Sequence, residues 1–276
     1  MTNQQQVLIE ALDISGARNR IVCIHAGMRS FSPRISADEL IDALLAIGAT
    51  LLVPTFTYEF ERVPPPGAWI PQNGMAPPTH EGSQEVKVAD GVGSAYTTEC
   101  NDLSVYAMGA LPLAVLARDG RVRGDHPLNS FAAVGPNAQQ VVRGQTPEDV
   151  YAPLRVLTEN DGLLLLMGTD LTSLTFVHYA EQAAGRRLCI RWARRPAGIE
   201  GCRCGSCSAG FGKLAPFSRF AEKRLTVGGS AWTATPARQL LPLLTSAIRD
   251  DPAVTTCGRP ACLRCRDTLA GGLEAG

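Results

Sequence analysis

The sequence predicts an α/β architecture: a single domain with a central, mainly parallel or mixed sheet flanked by helices, carrying a cysteine-rich element in its C-terminal third. Three observations carry this expectation. Apolar runs without helical period, at Ile21-Val22-Cys23-Ile24 and between Gly162 and Gly168, read as strands buried on both faces. A helix with its own start signal separates the first run from the strand Thr50–Pro54, giving the strand, helix, strand unit of parallel sheets. Of nine cysteines, Cys23, Cys100 and Cys189 are scattered, and the rest fall in two triplets within 202–207 and 257–265.

In chain order, Val7 to Leu12 is a short amphipathic opening. Ser36 stands as N-cap of the next helix, with Glu39 placed to complete a capping box, and Gly48 stops that helix before Thr50. Residues 61–93 are rich in Pro, Gly and polar side chains and read as a long loop or a lid over a site. Tyr106 to Leu116 supports a helix interrupted near Pro112, and Pro136 fits the first turn of a helix running through Val142. Leu154 to Glu159 and Leu174 to Ala184 have helical spacing, another helix starts near Pro236, and 271–276 reads as a disordered tail. There is no internal repeat, so residues 1–276 are read as one domain, with a cysteine element formed by 202–211 and 257–266.

Charge narrows the function classes. Lys plus Arg (26) equals Asp plus Glu (26), so no global field drives the chain onto nucleic acid or a membrane surface. No apolar run reaches the roughly 20 residues that span a bilayer, and the first residues lack a basic then apolar leader pattern. The expectation is a soluble, cytoplasmic protein whose partner is a small molecule. In a reducing compartment, clustered cysteines point to metal rather than to disulfides.

Chemistry is suggested at two places. Ala26-Gly27-Met28-Arg29-Ser30 puts small residues and a hydroxyl at the carboxyl end of a parallel strand, where backbone N–H groups can cradle a phosphate; the spacing matches neither a P-loop nor a dinucleotide fingerprint, and on its own it reads first as an ordinary strand-to-helix turn. His178 and Glu181, three apart, share a helix face; this is a general base with an orienting carboxylate, or else a surface ion pair. His126-Pro127 before Ser130 reads as a turn, and no serine sits in a GxSxG elbow, which weakens a hydrolase reading.

Several stretches together resemble one family. Ile24-His25-Ala26-Gly27-Met28-Arg29-Ser30, Thr50-Leu51-Leu52-Val53-Pro54-Thr55-Phe56-Thr57-Tyr58, the run from His126 to Gly135, and Ala152 to Leu157 followed by Gly168-Thr169-Asp170, Thr175, His178 and Glu181 are similar, in order, to segments of aminoglycoside 3-N-acetyltransferases. The resemblance implies an α/β domain that binds acetyl-CoA and an amine in a ternary complex. It implies His178 as general base with Glu181 orienting it, and a donor site from His25, Ala26, Gly27, Met28, Arg29, Ser30 and Phe31, with His126, Ser130 and Phe131 along the pantetheine route. Tyr58, Asp170 and Thr175 are the implied acceptor contacts. The family usually has serines where Ala26 and Gly27 stand, often an acidic residue at Leu113, and an asparagine at Leu174. Carboxylates for a polycationic acceptor would come from Glu59, Glu61, Glu81, Glu85, Asp90, Glu99 and Asp102. Acylation of another amine in natural-product assembly is the rival activity, and a non-catalytic binding protein the rival class. No oligomeric state is read from the chain, and a homodimer is compatible with it.

The cysteine clusters contain CxxC pairs at Cys204/Cys207 and Cys262/Cys265, which supply four thiolates for one tetrahedral structural zinc. Cys202 and Cys257 leave the choice of ligands open. Arg203, Arg259, Arg264 and Arg266 put positive charge around them, yet pinning the C-terminal segment to the core is favoured over binding nucleic acid.

Overall fold

The computed structural model describes residues 3–76 and 95–273. Its strands in chain order are β1 (Ile21–Ala26), β2 (Thr50–Pro54), β3 (Glu61–Arg62), β4 (Val122–Arg123), β5 (Phe131–Val134), β6 (Leu163–Met167), β7 (Cys189–Arg195), β8 (Gly198–Cys204), β9 (Lys223–Val227) and β10 (Ser230–Pro236). The helices are α1 (Asn3–Ser15), α2 (Ala37–Ala46), α3 (Val105–Met108), α4 (Ala110–Leu116), α5 (Ala138–Val142), α6 (Ala152–Glu159), α7 (Phe176–Ala183), α8 (Ala215–Ser218), α9 (Ala237–Asp250) and α10 (Leu263–Ala270).

A seven-stranded sheet runs in the order β4-β5-β2-β1-β6-β10-β9. Its centre is parallel: Cys23 of β1 lies opposite Leu52 of β2 on one side and Leu164 of β6 on the other. Both flanks are antiparallel, β5 on β2 and β10 on β6, so the sheet is mixed. Alternate residues of each central strand enter opposite layers. Ile21, Cys23, Leu52, Leu164 and Leu166 share a core with Val141, Leu154, Val177 and Leu244 of α5, α6, α7 and α9. Val22, Ile24, Leu51, Val53 and Met167 share the other with Leu8, Leu12, Leu40, Leu44, Leu111 and Val115 of α1, α2 and α4. Burial on both faces is why these strands read as unbroken apolar runs.

The capping box of α2 is present: the Glu39 N–H donates to Ser36 Oγ at 3.1 Å, and the Ser36 N–H donates to Glu39 Oε2 at 2.7 Å. The helix expected over 106–116 is instead two, broken at Gly109 (φ 78°) and not at Pro112. Pro112 falls in the first turn of α4, where its missing N–H deprives no carbonyl of a partner. A three-stranded sheet, β3-β7-β8, was not legible as strands. Its hairpin pairs Cys189 with Cys204 through to Arg195 with Gly198, and its outer positions are arginines, glutamate and glycines rather than alternating apolar residues. Of the expected loop over 61–93, the part up to residue 76 contains β3, and the remainder lies outside the described residues. Of the expected disordered tail, Leu273 forms a bridge to Arg186, and 274–276 lie outside the described residues. Among the described residues, no helix is long and apolar enough to cross a membrane.

Candidate active site

A cavity of about 530 Å³ opens at the carboxyl ends of β1, β2 and β6, where ligands enter open α/β sheets. On the sheet side it is lined by His25, Ala26 and Gly27 after β1, by Pro54, Phe56 and Tyr58 after β2, and by Gly168 and Thr169 after β6. The facing wall is His178 and Thr175 at the start of α7, the stretch Ser206–Ala209 with Phe211, and Arg264 in the first turn of α10.

The sheet-side wall is tightly constrained. The Gly27 N–H donates to Met167 O at 2.8 Å, and a Cβ on Gly27 would lie 2.7 Å from Gly168 O. Gly168 itself has φ +61°, and a Cβ there would lie 2.0 Å from Ser30 Oγ, which is hydrogen-bonded to Ser230 Oγ at 2.6 Å. Both positions therefore require glycine. His25 has no hydrogen-bond partner at Nε2 among the described residues, and burial pushes its imidazole down to about 4, so it is neutral at physiological pH. Of the other expected donor contacts, Met28–Ser30 form a 3₁₀ turn with Arg29 exposed, and Phe31 is buried edge-on against Trp232; none of these lines the cavity.

His126, Ser130 and Phe131 also lie behind the cavity wall, fully buried. His126 Nδ1 accepts from the Asn129 N–H at 2.8 Å, which leaves Nε2–H to donate to Arg203 O at 2.9 Å; burial lowers this imidazole to about 4. Ser130 Oγ donates to Thr55 O at 2.8 Å and accepts from Arg123 Nε at 3.1 Å. These groups join β5 to β2 and to β8. Tyr58 and Thr175 do line the cavity, whereas Asp170 caps the 3₁₀ turn after β6 by accepting from the Thr172 N–H at 2.9 Å.

His178 and Glu181 are brought together as their spacing predicts, with Glu181 buried and His178 half-buried at the cavity wall rather than as a surface pair. His178 Nδ1 and Glu181 Oε2 are 2.9 Å apart, with side chains 12% and 5% exposed. An ionised carboxylate only accepts, so Nδ1 carries the proton and Nε2 is the basic nitrogen. Burial works to raise the Glu181 carboxyl, but the imidazole, Arg186 and Thr255 outweigh it and hold it below its ordinary range. Thr255 Oγ1 donates to Glu181 Oε1 at 2.7 Å, and buried Arg186 bonds the same oxygen. Sequence reasoning missed both: Arg186 follows a glycine outside the helical period, and Thr255 is distant in the chain. The imidazole plane is set by Phe211, edge-on with ring centroids 4.7 Å apart, and by the backbone of Gly205.

Among the described residues, the cavity lining contains no carboxylate, and its cationic side chain is Arg264. Glu59 accepts from Ser104 Oγ, and Glu61 lies 3.6 Å from Arg191. Glu81, Glu85 and Asp90 lie outside the described residues.

The thiols of Cys207, Cys257, Cys262 and Cys265 lie within 4.8 Å of one another. Cys257 Sγ and Cys265 Sγ are 3.6 Å apart, too far for a disulfide of about 2.05 Å and close to the edge of a tetrahedron with metal–sulfur bonds of about 2.3 Å. The Cys257 N–H donates to Cys265 Sγ at 3.3 Å. Cys257 thus takes the place expected for Cys204. Cys204 ends β8 with its side chain turned to the same buried face as Cys202, two residues earlier, so the strand carries it away from the loop that holds Cys207. Cys202, Cys204 and His126 also lie close together, but both nitrogens of His126 are engaged by the backbone, so that group has no free imidazole to offer.

A parallel-centred sheet with glycine loops at its carboxyl ends, facing a carboxylate-bound histidine across a cavity, defines an α/β protein with a ligand-sized site at the ends of its central strands. The chain belongs to the aminoglycoside 3-N-acetyltransferase family, whose model matches residues 23–197. The aminoglycoside N(3)-acetyltransferase IX of Micromonospora chalcea is 36% identical over 85 residues, a match that covers 30% of this chain and 30% of that protein. The alignment with this curated relative therefore spans about a third of its length. The fold matches the apoenzyme structure of aminoglycoside acetyltransferase AAC(3)-IVa with a TM-score of 0.75 over 97% of each chain, at 20% identity. It also matches AAC-IIIb, solved with CoASH, with a TM-score of 0.67 over 90% of this chain and 96% of that one, at 18% identity.

Proposed function

We propose that the protein is a cytoplasmic acetyltransferase that moves an acetyl group from acetyl-CoA to an amine of an aminoglycoside or related amino sugar, with His178 as general base. The observation that carries this is the His178 geometry: Nδ1–H on an ionised carboxylate, and the basic nitrogen on a side chain that faces the cavity. The thioester enters beside Ala26, Gly27 and Gly168, which line the cavity at the carboxyl ends of β1 and β6; that AAC-IIIb was solved with CoASH supports acetyl-CoA as the donor. The acceptor amine attacks the thioester carbonyl, so that an N–C bond forms and the C–S bond breaks. The amine's proton passes to His178 Nε2 and from there to the departing thiolate. Glu181 stabilises the imidazolium, and Arg186 with Thr255 keeps Glu181 ionised. Most of the acceleration asked of the protein is alignment of two reactants and removal of that proton.

The four-thiol group fits a structural zinc: its donor set is all sulfur, and its spacing matches a tetrahedron. Cys207, Cys257, Cys262 and Cys265 would hold the ion, which would supply a cross-link and no chemistry at the reacting atoms.

A second acceptor reading is favoured by the lining. A polycationic acceptor needs carboxylates, and the described wall offers Arg264 instead, which suits an amine carrying an anionic or neutral group. Mass spectrometry of aminoglycosides and of amino acids or amino phosphonates, each incubated with acetyl-CoA and either the protein or its His178→Ala variant, tests both. Addition of one acetyl group that requires His178 supports the reaction and identifies the acceptor class. If every tested amine stays unmodified while CoA binds, these acceptor classes are wrong.

A further inference from the structure

We propose that the four-thiol cluster is the clamp that positions the catalytic base; this rests on the zinc and general-base readings above. The cluster joins two segments, and each of them touches the His178–Glu181 pair. The first is Gly205–Phe211, which contains Cys207. A Cβ on Gly205 would lie 2.7 Å from His178 Cγ and 2.4 Å from the Tyr151 hydroxyl, so the backbone there abuts the imidazole. Phe211 meets the same ring edge-on. The second segment is Pro252–Cys257. Thr255 Oγ1 accepts from Arg186 at 2.6 Å and donates to Glu181 at 2.7 Å, and Pro252 O accepts from the other Arg186 amine. Cys257 follows two residues later.

Apart from the core in which Phe211 and Val254 are both buried, no backbone ladder joins the two segments among the described residues. Every backbone–backbone hydrogen bond within Gly205–Phe211 and within 252–262 is a local turn, reaching no more than four residues along the chain. Side-chain bonds at their flanks cross the junction near the surface: Lys213 Nζ, just after the first segment, donates to Thr256 O at 2.8 Å, and Ser206 Oγ donates to Arg264 O of α10 at 3.2 Å. They nevertheless lie in close contact: a Cβ on Gly210 would lie 2.2 Å from Thr256 O. Four metal–thiolate bonds at this junction would fix Gly205 against the imidazole and Thr255 against the carboxylate together. The acyl-donor wall is independent of the clamp, because Ala26, Gly27 and Gly168 end strands paired along the central sheet. Arg186 and Thr255 are then positioning residues acting through Glu181.

The test uses the full chain labelled on histidine, with the His178 resonance assigned by comparison with His178→Ala. Zinc is removed with a chelator and then restored, while zinc content, the His178 resonance, amide exchange and acetyl-CoA affinity are followed. The expected result is a shifted His178 resonance and about tenfold or more faster exchange in Gly205–Phe211 and 254–265. Protection in β1 and β6 stays, acetyl-CoA affinity stays within about twofold, and zinc reverses the changes. An unmoved resonance with unmoved exchange after zinc is lost overturns the clamp. So does loss of protection throughout the sheet, which would make the ion a support of the whole fold. Protein that binds no zinc overturns the zinc reading and the clamp with it. Thr255→Val, which leaves all four thiols in place, is expected to shift the same resonance and lower kcat about tenfold without changing the KM for acetyl-CoA; no change there also counts against the proposal. If the clamp responds as expected but His178→Ala keeps its turnover, the base reading alone falls.

Discussion

The two walls of the cavity are held by different forces. The sheet-side wall ends β1 and β6, which pair in register from Val22 opposite Leu163 to Ala26 opposite Met167 and are buried on both faces. Its positions are fixed by cooperative backbone hydrogen bonds and by glycines that approach within contact distance. The facing wall hangs on turns, a hairpin with arginine-rich outer positions, and four convergent thiols. A wall fixed by a backbone ladder beside one fixed by side-chain contacts is the division of labour the proposed transfer would use, with one substrate constant and the other varied. His178 belongs to the second wall's contacts, although its helix, α7, packs on the sheet.

The strongest challenge to that division is His178→Ala. It should lower kcat by about 10²–10⁴-fold while acetyl-CoA affinity is unchanged, read by steady-state kinetics and calorimetry; a drop smaller than tenfold would remove the base from the mechanism. Acid should loosen both walls, since His25 ends a strand of one and His126 is bonded to β8 of the other. Each imidazole is lowered from 6.5 to about 4 by burial, so the unfolded chain binds the extra protons. Stability is therefore full above pH 6.5 and falls as pH drops toward 4, by up to ~3 kcal/mol for each group. Glu181, held below its ordinary 4.5, keeps its contribution until the pH falls through its own lower value. Urea unfolding at several pH values reads the slope, and a flat profile over that window would mean that neither imidazole is buried neutral.

Smaller and more local is Gly27→Ala. The new methyl meets Gly168 O at 2.7 Å, a backbone atom that cannot swing away. Acetyl-CoA affinity should fall about tenfold and stability by about 1–3 kcal/mol. Gly212→Ala, where a Cβ meets nothing within 4 Å, is the near-silent control in the opposite wall. Least of all in stability terms is Arg264→Ala, expected to change unfolding free energy by less than about 0.5 kcal/mol. Its effect should appear as a few-fold shift of acceptor KM toward cationic amines, and an unchanged acceptor profile would separate Arg264 from substrate.

The sheet-side wall was the more legible in the sequence. Ser36 with Glu39 marks the start of α2, and the runs at 21–24 and 163–167 announce buried strands, because those signals are local and periodic. The spacing of His178 and Glu181 likewise projects both onto one helical face. The second wall is built from contacts that spacing does not encode. Thr255 reaches Glu181 across 74 residues, and Arg186 bonds the same carboxylate after the helix has ended. Counting CxxC pairs selected Cys204 for the cluster, but strand alternation turns that thiol inward beside Cys202 and leaves the fourth place to Cys257. The strands β7 to β10 were missed because their outer positions carry Arg, Lys, Glu, Thr and Gly, a composition that reads as loop until a partner strand is known.

Between Cys257 and Cys262 the four residues Gly258, Arg259, Pro260 and Ala261 are all exposed, and Gly258 turns the chain with φ +74°. The ends of this tip are fixed at the thiols, and its middle faces water. Lengthening such a closed segment costs only about (3/2)RT ln n. The chain therefore carries a stretch that engineering or descent can exchange as a cassette while the strands of the central sheet keep their sequence.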